Sequence, residues 1–274
     1  MTTNVDRERF GPWALITGAS SGIGREFARQ LAAAGLNIVL VARRLALLEE
    51  TGHALAREFG VEYRVIGVDL SQEGFLEKLA EATDDLDIGL VVSNAGTGSP
   101  GAFLSKDRAE LASLLRLNAL AHLEIAHHFG NKLVARGRGG LLFVGAMGSD
   151  RGIPYMANDA AAKAYVQSLA LGLHVEWKPR GLHVTVLPVG PTETPVLAKL
   201  GLTPESMPMK PMKAEQCVWE GLKALQANRP MIIPGRLNRI MNTIIPASIT
   251  RAMMAKMFTK ALANQSAAPK AEIR

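Results

Sequence analysis

Asp159 and Lys163 stand four residues apart in the run Asn158-Asp-Ala-Ala-Ala-Lys163. On a helix that spacing puts a carboxylate and an ammonium on one face, where they can pair or move a proton. An aspartate titrates near 3.9 in solution, and a helix start followed by a lysine biases it further towards the carboxylate. Asp159 is therefore expected to act as a base or a charge stabiliser, and to carry a proton only rarely at neutral pH. A purely structural account is open beside this one. Asn158 would cap a helix over 159–177, Asp159 would complement its dipole, and the pair with Lys163 would support its first turn. Tyr155, on the loop after Pro154, and the loop residues Ser149 and Asp150 are further candidates to supply a hydroxyl or a proton. His122, His127 and His128 share one helical segment, but 122 and 128 are read as diverging in face from Asn118, and no metal site is expected.

These groups need a frame. The apolar run Trp13–Thr17 reads as a buried strand ending in a glycine-rich turn. Helical spacing follows from Arg25 to a stop at Gly35, then a strand over 37–42, a helix over 45–59 and a strand over 63–68. The alternation continues with helix 75–83, strand 90–93, helix 108–135, strand 141–145, helix 159–177 and strand 183–187. Near-continuous apolar strands separated by helices predict a parallel sheet covered on both faces, with right-handed crossovers. After Leu187 six prolines from Pro188 to Pro211 break the pattern, and residues 231–262 mix apolar residues with Arg236, Arg239, Arg251, Lys256 and Lys260.

The turn Thr17-Gly-Ala-Ser-Ser-Gly-Ile-Gly24 lies between a strand and a helix, where a dinucleotide cradle belongs. Gly18 permits the tight turn, Gly22 lets backbone approach a pyrophosphate, and Gly24 allows close helix–strand packing. Ser20, Ser21 and Ile23 complete the turn, and the helix N-terminus behind it favours phosphate charge. Asp69-Leu70 follows the third strand, where a carboxylate could meet an adenine amine or simply cap a turn. Asn94-Ala95-Gly96 follows the fourth, beside the cofactor ribose. Arg43 and Arg44 follow the second strand, where a carboxylate would hold the 2′-hydroxyl of NAD. Arginine there suits the 2′-phosphate, so NADP(H) is the expected cofactor.

Together the Thr-Gly-x-x-x-Gly-x-Gly turn, Asn-Ala-Gly and Lys163 resemble the short-chain dehydrogenase/reductase family over roughly residues 12–195. The resemblance implies an α/β, single-domain Rossmann-like fold over residues 1–264, with a doubly wound parallel sheet of about seven strands. It also implies a variable substrate lid or oligomer-contact region at 196–262 and a homodimer or homotetramer; residues 265–274 read as a disordered tail. Asn118 matches the family's active-site asparagine, and Lys163 the lysine that holds the nicotinamide ribose and lowers the tyrosine pKa. Pro188-Val189-Gly190-Pro-Thr192-Glu-Thr194 resembles the loop that meets the carboxamide, with Val189 in place of a proline. The departures lie at the reaction centre. Asp159 occupies the tyrosine position, and Gly145-Ala146 stands where the family has serine.

Composition sets the outer bounds. The chain's 274 residues suffice for one large domain, and 48% hydrophobic with 20% charged residues is ordinary for a globular protein. A net charge of +6 could suit anionic ligands, but no basic run is long enough to favour nucleic acid. Cys217 is the sole cysteine and the first ten residues carry no apolar leader, so a cytoplasmic location is expected. The Met- and Leu-rich 196–262 region suggests a lipophilic small-molecule substrate. Its basic stretch is also of the kind that lies on an anionic bilayer, with buried packing the commoner explanation. Three functions remain: an NADP-dependent oxidoreductase with altered proton handling, acting on an imine, an enone or another lipophilic substrate; an NADP-binding pseudoenzyme; or an isomerase or lyase using Asp159 as base.

Overall fold

The computed structural model describes residues 5–203, 207 and 210–267. After a single helical turn, α1 (Arg7–Phe10), the chain alternates strand and helix. β1 (Trp13–Thr17), α2 (Gly22–Ala33), β2 (Asn37–Ala42), α3 (Leu45–Phe59), β3 (Tyr63–Gly67), α4 (Phe75–Glu81) and β4 (Ile88–Ser93) form the first half. The second half runs through α5 (Arg108–Leu115), α6 (Ala121–Arg136), β5 (Gly139–Ala146), α7 (Ala157–Trp177) and β6 (Leu182–Val189). All strands pair in parallel, in the order β3-β2-β1-β4-β5-β6. The order reverses between β1 and β4, which opens a crevice at their carboxyl ends.

Strand residues alternate between two cores, one on each face of the sheet. Ala14 and Ile16 of β1 join Ile38 and Leu40 of β2 beneath α2 and α3. Leu15, Val39 and Val41 face the other way, against Phe75, Ile125, Phe129 and Val166 of α4, α6 and α7. Burial on both faces is why the strands read as unbroken apolar runs. Among the described residues six strands are paired. Beside β6, where a seventh would lie, Met231 makes a single parallel bridge to Val186. Pro230 and Pro234 flank it, and neither has an N–H with which to extend a ladder.

The segment expected as one helix over 108–135 is interrupted. Arg116–Leu120 forms a π turn between α5 and α6, and Asn118 sits at its centre. Beyond β6 come α8 (Pro195–Lys199), α9 (Ala214–Gln226), α10 (Arg236–Ile244) and α11 (Ala247–Ala267). Of the region read as a lid, α9 belongs to the core, because Cys217, Val218, Leu222 and Leu225 pack into the cluster under α2. The helix α11 reaches Ala267, inside the expected tail; residues 268–274 lie outside the described residues.

Close approach of α2 to the turn before it depends on Gly24. A Cβ there would lie 2.2 Å from the Gly18 carbonyl oxygen and 2.6 Å from Asn94 Nδ2. Gly24→Ala is expected to cost about 1–3 kcal/mol through the forced shift of α2. Urea denaturation would check this, and an unchanged midpoint would show that α2 can retreat freely.

Candidate active site

The crevice is locked at its base by Thr17, the last residue of β1. Its hydroxyl oxygen accepts from the amides of Asn94 and Ala95, each at 2.9 Å, and Asn94 Nδ2 donates back to the Thr17 carbonyl at 2.8 Å. The glycine turn rises directly above. Gly18 adopts φ 69°, a conformation that favours glycine, and a Cβ at Gly22 would press on Thr194 at 3.2 Å. Thr194 thus forms the opposite rim. Thr192 is buried instead, its hydroxyl donating to the Gly190 carbonyl at 3.0 Å. Val189 ends β6, where its carbonyl accepts from the Met147 amide at 2.9 Å.

Of the two arginines, Arg44 closes on the turn: its Nη2 donates to Ser20 Oγ at 3.0 Å and Ser21 Oγ at 3.4 Å. Arg43 lies 3.8 Å from Asp69 Oδ2. Asp69 Oδ1 accepts from the Ser71 amide at 3.0 Å and the Ser71 hydroxyl at 2.8 Å, an Asx-type turn that matches its turn-cap reading. Leu70 beside it is buried, and Ile23 packs against the core beneath α2.

The candidate reaction centre is gathered around the π turn. Asn118 Oδ1 accepts from the Thr97 amide at 3.0 Å while Nδ2 donates to the Thr97 carbonyl at 2.8 Å, clamping the loop after β4. A π turn widens the helix and commonly marks a functional position. Asn118 Nδ2 also lies 3.5 Å from Asp159 Oδ1. A Cβ at Gly96 would come within 3.0 Å of both Asn118 Oδ1 and Lys163 Nζ, so the glycine keeps this corner open.

Asp159 and Lys163 share a face of α7, but they form no ion pair within 4 Å. Lys163 Nζ turns away, donating to the Val144 carbonyl at 3.0 Å and lying 3.5 Å from His122 Nε2. His122 Nδ1 is 2.7 Å from Ser93 Oγ. The sequence reading had set this histidine aside, yet residue 122 follows Asn118 by four positions, about one turn of the widened helix. That spacing was the available signal. His127 and His128 are not brought to the site. Nor is Asn158 the helix cap, since Nδ2 donates to the Leu111 carbonyl at 3.0 Å. The helix begins earlier, at Ala157, and Asp159 is a buried residue of its first turn.

Burial reverses the expected electrostatics. Removed from water, the Asp159 carboxyl is pushed up to about 6, against smaller downward effects from backbone N–H groups and Lys106. Desolvation also brings the Lys163 ammonium down to about 8, opposed by the negative charge of Asp159. His122 is held well below its ordinary range by burial, and further by Lys163, so it is neutral. The expected further bias towards the carboxylate is therefore corrected in direction: burial favours the neutral acid, although at about 6 the group is still mostly ionised at pH 7.

A cleft of about 480 Å³ opens outward from Asp159. Phe103, Leu104, Leu111, Tyr155 and Met156 make its walls largely apolar, and besides Asp159 itself Ser99, Lys106 and Asn158 are the polar exceptions. Tyr155 holds φ 61°, a strained conformation for a non-glycine residue, and is thereby turned onto the cleft. Ser149 is buried with its hydroxyl bonded to Gln167, and Asp150 is exposed, so neither joins Asp159.

The sequence profile described as short chain dehydrogenase matches residues 12–205. The chain belongs to that family. It is 32% identical over 233 residues to a 7beta-hydroxysteroid dehydrogenase of Clostridium sardiniense, covering 85% of this chain and 89% of the relative. Identity to a very-long-chain 3-oxoacyl-CoA reductase of Podospora anserina is 36% over 183 residues, 64% of this chain and 53% of that one. Among solved structures, a 7beta-hydroxysteroid dehydrogenase superposes with TM-score 0.84 at 28% identity, over 91% of this chain and 99% of the other. A short-chain dehydrogenase from Sphingobium yanoikuyae in complex with NADPH gives TM-score 0.78 at 26% identity, over 96% and 98%. This short-chain dehydrogenase is accordingly an oxidoreductase of that type.

Because burial raises the Asp159 carboxyl, its contribution to folding depends on pH. Below about pH 4 the group is neutral in both states and contributes nothing. Between about pH 4 and 6 the folded chain keeps a proton that the unfolded chain has released, so stability falls as pH rises. Above that window the buried charge costs roughly 1–3 kcal/mol. Asp159→Asn should therefore match the native chain near pH 4 and exceed it in thermal midpoint at pH 7–8. An Asn variant less stable at every pH would refute this.

Proposed function

We propose that this chain is an NADP(H)-dependent oxidoreductase of a lipophilic substrate in which Asp159 handles the proton normally entrusted to a tyrosine. The observation that carries this reading is a buried carboxyl, titrating near 6, at the inner end of an apolar cleft and beside Asn118. A general acid or base works best when its pKa lies near the operating pH.

The cradle fits a dinucleotide. The tight turn Gly18–Gly24 leads into the N-terminus of α2, whose N-cap Ser21 makes no side-chain cap bond, a site suited to a pyrophosphate. Arg44, already drawn to Ser20 and Ser21, is placed for a 2′-phosphate, with Arg43 beside it. Asn94, Ala95, Gly96 and Lys163 would border the nicotinamide ribose; Val189, Gly190 and Thr194 would border the carboxamide, with Thr192 bracing that loop. The bound nicotinamide supplies or accepts a hydride. Everything else falls to side chains: Asn118 fixes the Thr97 loop, Tyr155 shapes the cleft wall, and Asp159 holds or releases a proton at the substrate heteroatom.

Two substrate chemistries separate by the sign of their pH dependence. A carbonyl needs protonated Asp159, so its reduction should fall as pH rises through about 6. An imine arrives already protonated as an iminium, and the ionised carboxylate would stabilise it above that pH; an enone could take its proton from water. The bulky lipophilic substrates named for the relatives support the apolar cleft as the substrate site in either case.

A pseudoenzyme is the second reading, favoured by the end of β5. Gly145 and Ala146 offer no hydroxyl there, and Ser149 is committed to Gln167. Turnover without NADPH oxidation would instead point to an isomerase or lyase with Asp159 as base. A second copy of the chain would cover the apolar side chains exposed on α5 to α7, among them Leu115, Leu123, Tyr165 and Val175.

Arg44→Ala should weaken NADPH binding about tenfold or more while leaving NADH little changed, as loss of a charge-assisted contact to a phosphate predicts. Fluorescence titration of both cofactors checks this, and tighter NADH binding by the native chain would sink the NADP assignment. Asp159→Ala should lower turnover of ketones or imines about 10²–10⁴-fold at unchanged NADPH affinity. Native binding without turnover across such a panel would favour the pseudoenzyme.

A further inference from the structure

Among the described residues no helix is long and apolar enough to cross a membrane. One nevertheless presents an unpartnered apolar stripe. Leu237, Ile240 and Ile244 of α10 follow at intervals of three and four, so they line one face, and they are 58%, 51% and 72% exposed. Ile249, at the start of α11, is half exposed as well. The stripe is held outward. On the other side of α10, Asn238 is buried and donates to the Pro234 carbonyl at 2.8 Å, while Arg239 is tied to Glu220 of α9 at 2.7 Å. The corner between α10 and α11 is fixed by Arg151, which donates to the carbonyls of Asn242 and Ile245 and to the Thr250 hydroxyl.

Charge tells what covers it. From Glu220 the sequence meets no further acidic residue until Glu272. Within that stretch Arg236, Arg251, Lys256 and Lys260 are exposed, and none of the four pairs with a carboxylate among the described residues. A second copy docking through the same face would bring two such sets of cations together, which disfavours self-contact. An anionic lipid surface satisfies both halves of the pattern, taking the apolar stripe at the headgroup–acyl boundary and the cations at the phosphates. The apolar cleft reaches the adjoining helix: Ala255 of α11 lines it together with Phe103 and Leu104, the latter 96% exposed.

We infer that α10 and the start of α11 form an interfacial docking face for anionic membranes, set beside the mouth of the apolar cleft. The face holds whether or not Asp159 performs the chemistry proposed above, because binding to lipid requires no turnover.

The test is co-sedimentation with vesicles of phosphatidylglycerol and phosphatidylcholine in equal parts, against vesicles of phosphatidylcholine alone. The native chain should pellet with the anionic vesicles at low salt, be released at high salt, and stay in solution with the neutral ones. Leu237→Ser/Ile240→Ser/Ile244→Ser should abolish pelleting while NADPH affinity and far-UV dichroism stay native. Arg236→Gln/Lys256→Gln should weaken it roughly tenfold or more, since each cation near an anionic surface contributes about fivefold. Absence of native pelleting with anionic vesicles overturns the proposal. So does equal pelleting of the triple-serine variant. A native dimer that the triple-serine variant dissociates, without vesicle binding by the native chain, would assign the face to a second copy instead.

Discussion

The site depends on the hydrogen bonds that close the reversal point of the sheet. A parallel sheet whose strand order reverses between β1 and β4 leaves the two strand ends diverging, with their last amides facing water. Thr17 prevents that by accepting two amides from the start of the Asn94 loop, and Asn94 returns a bond to the Thr17 carbonyl. The glycine turn is thereby seated above β1, and the Asn94–Gly96 loop is delivered to Asn118. Without this closure the cradle and the reaction centre would have no fixed relation. The apolar interior of β1 and β4 supplies the stability, and one hydroxyl turns it into alignment.

Around that anchor the polar groups form one electrostatic unit. Asp159, Lys163 and His122 are all driven towards their neutral forms by the same loss of water. His122 and Ser93 sit behind Lys163, giving its ammonium a polar neighbour that carries no positive charge of its own. The burial of the cluster brings Asp159 to about 6 and Lys163 to about 8, each closer to neutrality than the free group. It is also costly to the fold, because a buried carboxylate without a close cation is poorly compensated.

Much of this was legible in the sequence. The strands announced themselves by unbroken apolar runs, and the Thr17–Gly24 turn by glycine spacing in its strand–turn–helix context. Three things were hidden, each for a physical reason. The π turn adds one residue to a helical repeat, too small a change to disturb the periodicity around Asn118. Helix α9 looked like lid sequence because it follows a proline-rich stretch, and only docking against α2 reveals its core face. The titration of Asp159 was misread because spacing along α7 suggested a pair with Lys163. Rotamers and neighbours settle whether such a pair forms, and Lys163 found its partners on β5 and α6.

The orientation of Lys163 suits a carboxyl where a phenol is expected. A phenol titrates near 10 and needs a nearby cation to bring it down towards neutral pH. A carboxyl starts near 4 and needs the opposite, removal from water and from cations, to be brought up. A lysine aimed at position 159 would therefore help a tyrosine and spoil an aspartate. Here Lys163 points to Val144 and His122, and Asp159 is left with burial as the dominant influence. Asp159 and the orientation of Lys163 thus go together: with the ammonium turned to β5 and α6, burial brings the carboxyl up to about 6, as the proposed proton role requires.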